Sequence, residues 1–112
     1  MQEALEKAER LLRSYGYDYE ANLATIALAL FAKDPLAACR SINTAEWWES
    51  AQSLASIDLA VSGGFTPQSR RDAQALREAL IEIFTTLRAY GEHNEAGEII
   101  VSQFRKWMES RV

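Results

Sequence analysis

Cys39 and His93, the only cysteine and the only histidine of this 112-residue chain, are the side chains best suited to covalent or acid–base chemistry. A thiol and an imidazole can form a nucleophile–base pair at any separation in sequence, provided the fold brings them together. Here Cys39 ends the small apolar run Leu36-Ala37-Ala38-Cys39, a setting for a buried, inert thiol, and His93 sits in a polar turn. A lone cysteine closes no intramolecular disulfide, and with one histidine it excludes metal sites built on several His and Cys ligands. Glu46 with Glu49, and Glu92 with Glu95 and Glu98, follow three-residue steps. That is the spacing of acids gathered in the first turn of a helix, where the dipole favours them. Gly63-Gly64 lacks the lysine that completes a phosphate-cradling loop. The expectation is a non-enzyme with no catalytic residue, no metal ligand and no cofactor.

Charge points instead to a protein partner. Twelve Lys and Arg against sixteen Asp and Glu leave −4, and the resulting pI of 5.0 argues against nucleic acid. Arg70, Arg71 and Arg77 are the basic candidates, but Glu78 and Glu82 dilute them to a solvated helix face. Between Arg40 and Arg70 there is no Lys or Arg at all, while Glu46, Trp47, Trp48, Glu49 and Asp58 fall inside that stretch. Neighbours on a helix diverge by about 100°. One of Trp47 and Trp48 is therefore expected in the core and the other half-exposed, an apolar anchor among acids. Glu92, Glu95 and Glu98 supply a second acidic strip. Glu46, Trp47, Trp48, Glu49, Asp58, Glu92, Glu95 and Glu98 form the candidate partner-binding set, suited to a basic protein.

The elements that must hold these residues read as helices. Two prolines and five glycines punctuate the chain where helices should start or stop. Leu5, Ala8, Leu11, Leu12 and Tyr15 recur at helical spacing up to Gly16, which suits a left-handed C-terminal stop. Asp18 is placed to cap a second helix with Leu23, Ile26, Ala27, Leu30 and Phe31 as its apolar face. Asp34-Pro35 starts a short third helix. Asn43 with Glu46 resembles a capping box for a helix from Thr44 to about Ala55. Residues 56–62 alternate in polarity and suit either an extended or a helical state, and Ser62-Gly63-Gly64-Phe65 reads as a turn. After Thr66-Pro67, Ala73, Leu76, Leu80, Ile83, Phe84 and Leu87 form the cleanest stripe. Asn94 then caps a last helix carrying Ile99, Ile100, Phe104, Trp107 and Met108. The core is expected to comprise Leu12, Leu23, Ile26, Leu30, Leu76, Leu80, Ile83, Phe84, Leu87 and Phe104. The fold class is all-α, a single helical domain of about five helices.

Residues 12–21 match residues 87–96 at six of ten positions, with an offset of 75. Both segments place Leu, Arg, Tyr and Gly at the end of one helix and Glu-Ala in the first part of the next. The match arises either by convergence on a good helix corner or by duplication. Duplication gives two pseudo-symmetric αα-hairpins, 1–33 and 67–112, with 34–66 as the connecting segment. The N-terminus starts acidic and helical, and the longest apolar stretch, 21–32, is too short for the about 20 residues of a membrane span. A cytoplasmic protein without membrane contact is expected.

This pattern resembles the small, acidic, helical immunity proteins that bacteria pair with secreted toxins. The residues carrying the resemblance are Tyr15-Gly16 with Glu20, Trp47-Trp48, Asp58, and Tyr90-Gly91 with Glu95. It implies stoichiometric inhibition of a basic, cytoplasm-acting toxin domain through protein contact. The alternative is a structural or adaptor bundle that forms a homo-oligomer through apolar helix faces.

Overall fold

Three of the helices begin where a short polar side chain satisfies a free N–H group of the first turn. In a computed structural model of the chain, which describes residues 1–49, 51–60 and 64–110, the Asp34 carboxylate accepts from the Ala37 N–H at 3.2 Å. Thr66 and Ser69 cap each other reciprocally, and Asn94 Oδ1 accepts from the Gly97 N–H at 2.9 Å. The resulting elements are α1 (Gln2–Ser14), α2 (Asp18–Lys33), α3 (Pro35–Ile42), α4 (Ala45–Trp48), α5 (Pro67–Ala89) and α6 (Glu95–Glu109), with a 3-10 turn at Leu54–Ser56. No strand occurs among the described residues. The fold is an all-α bundle whose radius of gyration, 13.2 Å, is that of one compact domain of this length.

The α5 stripe behaves as its periodicity requires: Ala73, Leu76, Leu80, Ile83, Phe84 and Leu87 are all buried. α1 adds Ala4, Leu5, Ala8 and Leu12 and lies against both α2 and α5. α6 contributes Val101 and Phe104. Gly16 and Gly91, at φ +83° and +84°, stop α1 and α5 in the left-handed region that a side chain opposes.

Four expectations need correction. The inner face of α2 is Ala21, Ala24 and Ala27, while Ile26 is 55% exposed and Leu23 and Leu30 are only half-buried. Helix α2 is apolar on nearly every side, so periodicity could not choose a face; packing against α1 selected the small residues. Asp18 does not cap α2, because Tyr17 occupies that place without a side-chain bond. The helix after Thr44 ends at Trp48 instead of continuing to Ala55. Asn43 forms no capping box there, since its amide is engaged with Glu92 and Asn94. Of residues 56–62, Ile57–Ala60 lie outside helix or strand, with buried Leu59 at φ +58°. Residues 61–63, including part of the Ser62–Phe65 turn, lie outside the described residues.

Candidate functional site

Trp47 and Trp48 are both buried, at 1% and 0% exposure, so neither serves as the exposed anchor that their adjacency suggested. The argument from helical geometry fails because α4 is a single turn enclosed on several sides. The Trp48 ring meets Phe84 edge-on at 5.3 Å and Trp47 at 6.1 Å. Its indole N–H donates to the Ile42 carbonyl at 3.0 Å, which satisfies the one polar atom it carries inward. On the α6 side Trp48 meets Gly97, whose missing side chain leaves room for the Phe84 and Trp48 rings. The tryptophans are the wedge that positions the acidic segments around them.

That wedge joins the two acidic segments, which are distant in sequence. α4 packs against α6. Asn43 Nδ2 donates to Glu92 Oε1 at 3.2 Å, and Asn94 Nδ2 donates to Asn43 Oδ1 at 2.9 Å. The same Asn94 caps α6, so one short chain of amides fixes the α3–α4 junction, the Gly91 corner and the α6 N-terminus. Glu49 and Glu95 are both exposed. Glu98 is exposed and pairs with Arg88 at 2.6 Å. Glu46 accepts a hydrogen bond from the Tyr19 hydroxyl, which reaches across from α2. That bond holds the Tyr19 phenol above its ordinary pKa, because ionising it would place two anions together. Asp58 stands apart from this group: its carboxylate accepts from the Ala60 N–H at 3.0 Å.

An exposed apolar side chain among acids does occur, but in α6. Ile99 is 72% exposed and lines a groove of about 520 Å³ with His93, Asn94, Glu95 and Glu98. The sequence places Ile99 and Ile100 together on the last helix without separating them; of the two, Ile100 packs partly against the core and Ile99 stays outside. Its flanking acids, Glu95 and Glu98, were the available signal.

Of the remaining chemical candidates, Cys39 is enclosed and His93 faces solvent. Cys39 is buried, and burial together with the nearby Glu92 charge pushes its thiol up, away from the thiolate. His93 is exposed. Among the described residues, no three His, Cys, Asp or Glu side chains gather as metal ligands would. Arg70 and Arg71 are exposed, whereas Arg77 is half-buried with its guanidinium 5.0 Å from the Trp107 ring centre. The three arginines thus form no common basic surface. No helix among the described residues is long and apolar enough to cross a membrane. Comparison with protein-family models, curated proteins and solved structures gives no match for this chain.

Proposed function

We propose that the chain is a non-catalytic protein-binding module, an immunity- or antitoxin-like inhibitor that blocks a basic, cytoplasm-acting toxin by stoichiometric contact. One observation carries this reading: the Glu46–Glu49 and Glu92–Glu98 segments are tied together through Asn43 and Asn94, beside the exposed Ile99. An apolar side chain flanked by the Glu95 and Glu98 carboxylates offers a basic partner a desolvated centre and a charged rim. The rim accelerates encounter and the centre holds the complex.

The test uses the tagged chain as bait in its native host. A co-purifying protein with a strong excess of Lys and Arg, at equal stoichiometry, is expected. Glu49→Lys combined with Glu95→Lys should slow its association most at low salt. Ile99→Ala should mainly raise the off-rate, by roughly 30-fold if Ile99 is the central anchor. An acidic partner, or a basic one indifferent to all three substitutions, contradicts the proposal.

A further inference from the structure

The segment after α4 carries two local costs found nowhere else among the described residues. Ser53 is 1% exposed, and its hydroxyl is the one buried side-chain polar atom there without a hydrogen-bond partner. Six residues on, Leu59 is fully buried at φ +58°, and no other described non-glycine residue has a positive φ. An unmet buried hydroxyl displaces an equilibrium by roughly 5-fold or more. A side chain held in the left-handed region displaces it by roughly another 5-fold or more. Both costs vanish once the hydroxyl meets water and the backbone relaxes.

The hydrogen bonds of Ser56, Ile57 and Ala60 are internal to the segment and travel with it. The Ser56 and Ile57 N–H groups donate to the Ser53 and Leu54 carbonyls at 3.1 and 3.2 Å. The Ser56 hydroxyl donates to the Ala51 and Ser53 carbonyls, and the Ala60 N–H to Asp58. Outward, Asp58 lies close enough to Arg77 of α5 for their charges to attract. Leu54, Ala55 and Leu59 join the same core cluster as Trp47. α4 packs against α6 and against the 3-10 turn. Trp48 meets Gly97 of α6, and Trp47 stands about 100° away round the helix axis.

We infer that residues 51–60 form a releasable cover over Trp47, which lifts as a unit while the core of α1, α2, α3, α5 and α6 stays folded. Its stored costs place this opening well below unfolding of the whole domain, among the low-energy local openings of a native protein. Lifted, the cover leaves the Trp47 indole beside Glu46 and Glu49, both exposed. The pairing of aromatic and acid that the sequence singles out then belongs to the open form. This device is independent of the partner proposed above.

Thiol labelling of the full chain tests the inference. Cys39, fully buried on α3, reports opening of the core. Ala55 is 4% exposed, so Ala55→Cys in a Cys39→Ala background reports lifting of the cover. Ser53→Cys in that background is the second reporter should Ala55→Cys fail to fold. Each rate is taken relative to the unfolded chain, and the thiol at 55 should label at least about 100-fold faster than Cys39. Ser53→Ala removes the unmet hydroxyl and should slow labelling at 55 by about 5-fold or more. Ile83→Val weakens the core in the closed and lifted forms alike. It should therefore leave labelling at 55 unchanged and speed that of Cys39 by about 2- to 10-fold. Trp47→Phe takes contact away from the cover and should speed labelling at 55 by about 5-fold. Equal labelling at 55 and 39, or an equal response of both to Ile83→Val, overturns the inference. Indifference of position 55 to Ser53→Ala overturns the stored cost as the source of opening, and indifference to Trp47→Phe overturns Trp47 as the residue covered.

Discussion

The corners at Gly16 and Gly91 share a backbone and part company immediately after it. In the first, the N–H groups of Tyr15 and Tyr17 donate to the Leu12 carbonyl at 3.2 and 2.9 Å, and that of Gly16 to Arg13 at 3.1 Å. In the second, Tyr90 and Glu92 donate to Leu87 at 3.1 and 3.0 Å, and Gly91 to Arg88 at 3.0 Å. Even the matched arginines act alike, each reaching forward to the next helix: Arg13 to Asn22 at 3.1 Å and Arg88 to Glu98 at 2.6 Å. Yet α2 starts at Asp18, directly after the stop, and closes on α1 with alanines. α6 waits until Glu95 for its Asn94 cap, and Trp48 and Phe84 lie beneath Gly97. The stop is local, whereas the angle and opening of the corner are set by what must fit under the next helix. The closed corner packs on alanines, and the open one leaves Glu95, Glu98 and Ile99 exposed.

The largest effect that would expose this difference is removal of the wedge. Trp48→Ala should cost about 3–5 kcal/mol, as expected for a fully enclosed aromatic, measured by urea unfolding. Matched substitutions at positions 22 and 97 come next. A Cβ on Gly97 would lie 2.5 Å from Phe84 Cε1 and 3.3 Å from Trp48 Cδ2. Gly97→Ala should therefore cost about 1–3 kcal/mol through overpacking, whereas Asn22→Ala, on an exposed position, should stay within about 0.5 kcal/mol. Equal losses would show that both corners are equally tight.

Gly16→Ala and Gly91→Ala should cost about 1 kcal/mol or more each, and by the same amount. No atom lies within 4 Å of either new Cβ, so the penalty comes from φ alone. Unequal melting shifts would break the claim of a common stop.

The smallest effect concerns Tyr15, which is half-buried where its counterpart Tyr90 is exposed. The Tyr15 hydroxyl donates to Asp72 at 2.7 Å, and this bond, followed by burial and the Asp72 charge, raises its pKa. A phenol whose folded pKa is raised keeps its proton longer in the folded state, so stability is intact below about pH 10 and declines as pH climbs through the raised value. Tyr15→Phe should flatten the decline of melting temperature above about pH 10.

What could be read from the sequence was whatever a few neighbouring residues determine. Asp34-Pro35, Thr66-Pro67 and Asn94 start helices because the cap and the first turn are adjacent in the chain. The α5 stripe is legible because polar residues separate its apolar ones. Helix α2 was not, since with Leu23, Ile26, Leu28, Leu30 and Phe31 on several sides the neighbours α1 and α3 decide which face goes in. The Trp47-Trp48 pair misled for a related reason. The rule that neighbours diverge presumes a helix with one buried side, and α4 is enclosed by Phe84, Gly97 and its own chain. Of the candidate site, the acids at Glu46, Glu49, Glu92, Glu95 and Glu98 were visible as charge asymmetry. The link between the two segments was not, because Asn43 and Asn94 meet across 51 residues.

The most direct test reverses charge at equivalent places in the two corners, since Glu20 in the closed one corresponds to Glu95 in the open one. Capture of the proposed basic partner from the native host would be compared quantitatively for Glu20→Lys and Glu95→Lys, with circular dichroism verifying that both remain folded. The account predicts that Glu95→Lys loses most of the capture while Glu20→Lys retains it. Equal retention by both, or selective loss in Glu20→Lys, would contradict the assignment of the open corner as the binding surface.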